Sequence, residues 1–198
     1  MGKEDKRDAI LRATLELVAA QGFHDAPCAL IAERAGVASG TIYRYFENKD
    51  LLILALYAEL EGRITSCLLE GYRADQPIRE RFIHLIRGIL GYFISNPLEF
   101  KYIEQFHNSP YGTAVRRDKL LGNTDSSDSS CKCDIYKQLF SEGVELQVIK
   151  NLPMAVLFDL AFGPIISVAR NHILGFVQLD ERLMQQIAEA CWDSLRQH

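Results

Sequence analysis

Residues 31–52 read Ile-Ala-Glu-Arg-Ala-Gly-Val-Ala-Ser-Gly-Thr-Ile-Tyr-Arg-Tyr-Phe-Glu-Asn-Lys-Asp-Leu-Leu, and this stretch decides the fold. It predicts two short helices sharply joined at Gly36. The first places Ile31, Ala32 and Ala35 on one apolar face. Gly36 ends it by taking the left-handed conformation, and Val37 plugs the turn. Ser39 is expected to cap the second helix through its side-chain oxygen, with Ile42 and Phe46, four residues apart, facing inward. Thr41, Tyr43, Arg44 and Tyr45 are left toward the outside. Aromatic hydroxyls and a guanidinium on the open face of a short helix waste packing surface but suit phosphates and base edges.

The stretch resembles the helix-turn-helix of TetR-family transcriptional regulators. That family's pattern is Ile-Ala-x-x-Ala-Gly-Val-Ser-x-Gly-Thr-Leu-Tyr-x-Tyr-Phe-x-x-Lys-x-x-Leu, matched almost position by position over the first quarter of the chain. The resemblance implies an all-α fold: an N-terminal three-helix DNA-binding domain, then a larger helical ligand-binding and dimerisation domain. It assigns Thr41, Tyr43, Tyr45 and Lys49 to phosphate, and Ser39, Gly40 and Arg44 to the vicinity of base edges. Arg44 is the expected sequence reader, because a bidentate Arg–guanine contact discriminates by about 1–3 kcal/mol while phosphate contacts add sequence-blind affinity. One departure stands out. Where the family usually carries a Ser or Thr and then a basic residue, this chain has Pro27 and Ala29, and Leu30 replaces a frequent charge. Proline suits a helix start, so the helix survives but loses polar contacts. Lys3, Lys6, Arg7 and Arg12 of the N-terminal arm are the expected compensation.

Composition neither makes nor breaks this reading. The 198 residues are 48% hydrophobic, enough for one or two domains with a sizeable core, and carry a net charge of −4. Residues 1–50 hold seven Lys or Arg against eight Asp or Glu, so positive surface must come from local placement. Screening limits a duplex to charges within roughly 10 Å at 0.1 M salt. Arg44, Lys49, Lys6 and Arg7 are the group expected to form such a patch. The charged segment Lys3–Asp8 lacks the apolar run of a secretory signal, which predicts a cytoplasmic protein. The longest apolar stretch, Met154–Ala169, is interrupted by Asp159, Gly163 and Pro164 and falls short of the ~20 residues that span a bilayer.

Elsewhere the apolar period stays near 3.6, and no segment alternates as a strand would. A first helix, about Lys6 to Gln21, is expected to bury Ile10, Ala13, Leu17 and Ala20 and to end at Gly22, with Phe23 folding back as a latch. These residues complete a DNA-binding domain of residues 1–48. A ligand-binding and dimerisation domain of residues 49–198 follows. Its connector helix runs from Lys49 to about Tyr72 with Leu52, Leu56, Leu60 and Ile64 on one face, and topology makes it the mechanical link to the reading head. Pro77 opens a helix with the stripe Ile78, Phe82, Leu85, Ile86, Ile89 and Phe93, stopped at Asn96-Pro97. Leu98–His107 is a short aromatic helix. Leu121–Asp134, rich in Ser and Asp, reads as a loop. Helices follow from about Cys133 to Gln147, from Pro153, and from a cap at Asp180 to near Arg196.

Residues 154–174 are apolar on nearly every side, and such a helix must be covered all round. With Leu183, Ile187, Cys191 and Leu195 at near-heptad spacing on the last helix, and Trp192 beside them, two copies would build a four-helix interface. Ile165, Val168, Leu183, Ile187, Cys191 and Leu195 are its candidate residues. A homodimer predicts a pseudo-palindromic operator with its reading helices about 34–36 Å apart, or a multiple of that. By resemblance, a small molecule bound among the middle helices lowers operator affinity. Phe93, Phe100, Tyr102, Phe106, Tyr136, Phe140, Phe158 and Phe162 are the candidate lining of a largely apolar pocket, although aromatics at helical spacing also serve simply as core. Glu99, Glu104 and His107 could orient a polar ligand group.

Cys131 and Cys133, beside Asp128 and Asp134, offer an alternative: a metal- or redox-sensing regulator. The spacing lacks the four ligands of a structural zinc site, so no metal and no cofactor are expected. Cys28, Cys67 and Cys191 read as buried packing residues. No phosphate loop, His-x-x-x-His pair or Gly-x-Ser-x-Gly occurs, and Glu104 with His107 is the one Glu-x-x-His. An enzyme is therefore not expected. A helical protein-interaction adaptor is the remaining alternative, and Thr41, Tyr43, Arg44 and Lys49 argue against it.

Overall fold

The computed structural model describes residues 3–121 and 134–197, and within them the chain is helical as the sequence predicts. The order is α1 Lys3–Gln21, α2 Cys28–Arg34, α3 Ser39–Ile42, α4 Lys49–Leu69, α5 Ile78–Ser95, α6 Pro97–His107, α7 Pro110–Leu121, α8 Asp134–Glu145, α9 Met154–Ile173 and α10 Glu181–Leu195. Among the described residues the extended pairing is one isolated antiparallel bridge between Ile149 and Arg196. It fastens the α8–α9 connection to the end of α10, with Lys150 N donating to the Leu195 carbonyl at 2.8 Å and Gln197 N to that of Val148 at 3.0 Å.

The chain forms two compact units, the first comprising residues 1–61 with 97–116 and the second residues 62–96 with 117–198. Packing in the first unit thus recruits α6 and the start of α7 to the N-terminal helices, and the sequence boundary at 48/49 marks the start of α4. Its core holds Ile10, Leu17, Val18, Ile31, Ile42, Leu52, Leu56, Leu60, Phe100 and Phe106. Ala20, expected inside, is exposed, because the buried face of α1 runs through Ala13, Leu17 and Val18. Phe23 is the latch foreseen: its ring lies 5.5 Å from that of Tyr102 and 5.8 Å from that of Tyr111. Tyr57 stacks on Phe106 at 3.9 Å.

Helix α7 is an element that the sequence reading passed over. Ser109 opens it, its hydroxyl receiving a hydrogen bond from Gly112 N at 3.3 Å and donating to the Phe106 carbonyl at 2.6 Å. Only glycine fits at 112, since a Cβ there would stand 2.0 Å from that carbonyl oxygen.

In the second unit α5 packs on α8, α9 and α10. The stripe Ile78, Phe82, Leu85, Ile86, Ile89 and Phe93 is buried as expected. Arg81 is buried beside it, donating to Tyr72 Oη at 2.9 Å and to Glu142 at 2.7 Å. A buried guanidinium is tolerated only with such partners. Asp180 caps α10 as predicted, its carboxylate accepting from Leu183 N at 2.7 Å.

Candidate nucleic-acid interface

The turn between α2 and α3 is a helix C-terminus closed by two backbone bonds. Gly36 adopts φ +67°, its N–H donating to Glu33 O at 3.0 Å while Val37 N donates to Ala32 O at 2.9 Å. This pair is the Schellman arrangement that a left-handed glycine permits. Ile31, Ile42 and Phe46 are buried beneath it and fix the angle between the helices. The reading segment begins differently from expectation. Ala38 is the N-cap of α3 and no side chain caps it, so Ser39 lies one position inside the helix with its side chain exposed. Pro27 likewise stands at the N-cap of α2 without a side-chain bond.

Beyond Ile42 the segment keeps helical bonding, with Arg44 N donating to Thr41 O at 3.1 Å and Phe46 N to Ile42 O at 2.9 Å. Ser39, Gly40, Tyr43 and Arg44 are exposed; Thr41, Tyr45 and Lys49 are half-buried. Tyr43 leaves 57% of its surface open, a high exposure for an aromatic residue. The adjacent Cys28 holds its phenol above the ordinary pKa, first by charge repulsion and then by a side-chain hydrogen bond. Among the described residues Arg44 makes no ion pair. A Cβ added at Gly40 would meet nothing within 4 Å, so the chain's own packing does not call for glycine there. Lys49 differs: its Nζ donates to the Phe23 carbonyl at 2.6 Å, leaving two N–H groups for other partners. Arg7, assigned to the same basic patch, is engaged by Glu59 at 3.4 Å.

The aromatic residues assigned to a ligand pocket divide between the two units. Phe100, Tyr102 and Phe106 belong to the first, where all are buried and Tyr102 Oη donates to the Ile53 carbonyl at 2.8 Å. Phe93, Tyr136, Phe140, Phe158 and Phe162 belong to the second. There Tyr136 meets Phe162 edge-on at 4.7 Å, Phe140 meets Phe158 at 5.3 Å, and Phe158 stacks with Phe162 at 5.6 Å. Phe93, Tyr136 and Phe140 are buried, while Phe158 and Phe162 remain half-open. Of the candidate polar groups, Glu99 is buried, Glu104 half-buried and His107 exposed, all on α6.

The candidate dimer residues also separate. Ile165, Cys191 and Leu195 are buried in their own unit; Val168, Leu183 and Ile187 are half-exposed. The buried positions of α10 advance by four, three and four residues, so Leu183 and Ile187 stand one residue off the stripe that Cys191 and Leu195 join. The inward stripe of α10 is Met184, Ala188, Cys191 and Leu195. The inward stripe of α9 is Leu157, Ala161, Ile165 and Ala169.

Comparison with known proteins bears on both parts of the chain. Residues 10–56 match the family described as bacterial regulatory proteins, tetR family, and residues 77–196 match the tetracyclin repressor-like C-terminal domain. The chain belongs to the TetR family of transcriptional regulators. An uncharacterised HTH-type transcriptional regulator of Haemophilus influenzae is 21% identical over 98% of this chain and 97% of that one. A TetR-family regulator from Marinobacter aquaeolei shares the fold with a TM-score of 0.83 at 22% identity, covering 98% of this chain and 97% of that one. A putative regulator of the family from Vibrio parahaemolyticus is 30% identical, with a TM-score of 0.74, over 98% of this chain and 99% of that one.

In this TetR-family regulator the cysteines depart from expectation. Cys191 is buried and its thiol is pushed up to about 11 by burial, but Cys67 is exposed and Cys28 half-buried. Cys131 and Cys133 lie outside the described residues. Helix α9 has 20 residues, longer than the apolar run read from sequence, so its length alone would allow it to cross a membrane. Its buried stripe instead packs within the second unit.

Proposed function

We propose that this chain is a ligand-responsive repressor that binds a palindromic operator as a homodimer and leaves it when a small, largely apolar molecule occupies the C-terminal helices. Residues 1–48 read DNA and residues 49–198 bind ligand and dimerise. The observation that carries the DNA half of this reading is the open face at Tyr43 and Arg44, a phenol and a guanidinium that makes no ion pair among the described residues, on a segment whose opposite side, Ile42 and Phe46, is buried. Arg44 reads a base edge, and Gly40 lets the backbone approach it. Ser39, Thr41, Tyr43 and Tyr45 hold the helix to phosphates, and the two remaining donors of Lys49 add to them.

The half-open pair Phe158 and Phe162, backed by the buried Tyr136 and Phe140, supports an apolar effector site. Val168, Leu183 and Ile187 support a dimer face on α9 and α10. Such a protein works in the cytoplasm, without a membrane partner. For release, the ligand must favour the DNA-incompetent state by several kcal/mol, since equal affinity for both states shifts nothing. Helix α4, which passes from one unit to the other, is the coupling element.

The experiment is displacement of the bound operator by a panel of apolar acids and alcohols, followed through DNA anisotropy and the fluorescence of Trp192, the single tryptophan. Trp192 lies in the second unit, 5.6 Å from Phe82, and senses that core directly. The reading expects one class to release DNA and change the emission, with Phe158→Ala abolishing the response but not operator binding. Release unaffected by Phe158→Ala would place the effector elsewhere.

A further inference from the structure

Arg7 stands where three segments of the first unit meet. It lies on α1, its Nη1 is 3.4 Å from Glu59 Oε2 on α4, and its guanidinium carbon is 5.8 Å from the centroid of Phe46. Phe46 closes the reading segment: its N–H bonds the Ile42 carbonyl at 2.9 Å and its side chain is buried. The Arg7 side chain is 41% exposed and that of Glu59 30%, so the pair is partly withdrawn from solvent. Asp8 is 3.7 Å away and more exposed.

We propose that Arg7 is a positioning residue for DNA readout, fixing the reading segment against α1 and α4 rather than serving as a phosphate ligand. A planar guanidinium can lie over an aromatic face and hold a carboxylate at its edge at once, which an ammonium does not do as well. Glu59 engages Nη1 of Arg7, and a phosphate that drew the guanidinium outward would compete with this pair and uncover the Phe46 ring. Such a move would also abandon a carboxylate near the duplex, where like charge opposes binding. Kept in place, the neutral pair adds nothing to phosphate neutralisation but holds the segment that carries Tyr43 and Arg44 at a fixed angle.

The inference rests on the DNA-reading role of α3, so wild-type protein is first titrated with an operator enriched from random duplexes and with a scrambled duplex, across a range of salt. Absence of any preference for the operator would remove the reading role, and this inference with it. Given a preference, the same titrations are made with Arg7→Gln, Arg7→Lys and Glu59→Gln. Positioning predicts that Arg7→Gln and Glu59→Gln each weaken operator binding about five- to tenfold. Scrambled DNA and the salt slope stay nearly unchanged, the double variant is no worse than the weaker single, and Arg7→Lys restores part of the loss. A phosphate ligand predicts the reverse pattern: Arg7→Gln weakens both duplexes and lowers the salt slope by about 0.9, while Glu59→Gln tightens binding. That pattern would overturn the proposal. Should Arg7→Gln fail to fold, Glu59→Gln decides alone, because the two roles predict opposite signs for it.

Discussion

Lys49 donates from Nζ to the backbone carbonyl of Phe23 at 2.6 Å, tying the first turn of α4 to the corner between α1 and α2. The same Phe23 offers its ring to Tyr102 and Tyr111, and Tyr111 returns to α4 through a 2.7 Å hydrogen bond to Asp50. The start of α4 is thereby held from both sides of one residue. A lysine that sequence pattern assigns to phosphate therefore also has a structural duty.

Lys49→Met is expected to act on both duties. A charge-assisted bond to a part-buried carbonyl is worth about 1.5–3 kcal/mol, so the variant should unfold at lower urea, an effect absent for a purely phosphate-binding lysine. It should also weaken all duplexes alike and reduce the salt slope by about 0.9 if the two remaining donors meet phosphate. Unfolding and salt titrations separate these effects; a changed slope with unchanged stability would mean that the Phe23 bond carries little.

Arg44→Ala should show the complementary behaviour. With no ion pair to lose among the described residues, it should fold normally, yet lose discrimination at one or two base pairs of each half-site by about 1–3 kcal/mol. Binding to a set of singly substituted operators measures this. Equal loss on operator and scrambled DNA would contradict its role as a reader.

Phe82→Ala tests the second unit. Phe82 is fully buried, 5.6 Å from Trp192 and 6.3 Å from Phe140 between ring centres. Truncation should cost roughly 3–5 kcal/mol, read from urea unfolding monitored by Trp192 fluorescence. A loss below about 1 kcal/mol would mean that neighbouring side chains close the cavity.

Alkaline pH should destabilise the fold through two named groups. Hydrogen bonding to Asp50, then burial, pushes Tyr111 up to about 12, and burial pushes Cys191 up to about 11. Both raised groups favour the protonated form in the folded state. Their contribution is fully present below the unfolded values, about 10 and 8.5, and is lost as pH rises through 11 and 12. Stability against urea should hold from pH 7 to 8 and fall above 9, with Tyr111→Phe and Cys191→Ala each flattening the decline; parallel curves for these variants would contradict the assignment.

The turn at Gly36, the burial of Ile42 and Phe46 and the cap at Asp180 were legible because each is a local rule: a left-handed glycine, a four-residue spacing, a carboxylate before a helix. Helix α7 was signalled equally locally, by Ser109 before Pro110, but its weakly apolar sequence hid it. What could not be read was pairing across the chain. Nothing near Lys49 or Arg7 in sequence reveals Phe23 or Glu59 as partners. Nor does spacing alone fix the phase of α10, since a small rotation decides whether Cys191 and Leu195 or Leu183 and Ile187 face the core of their own unit.

The most direct measurement is selection of random duplex DNA by the purified full chain, with sequencing of the bound fraction. The account predicts enrichment of a pseudo-palindrome whose half-sites lie about 10–10.5 base pairs apart or a multiple of that, with salt-dependent affinity and loss of enrichment in Arg44→Ala. A bound fraction as random as the input, or an enriched site that Arg44→Ala selects equally well, would contradict it.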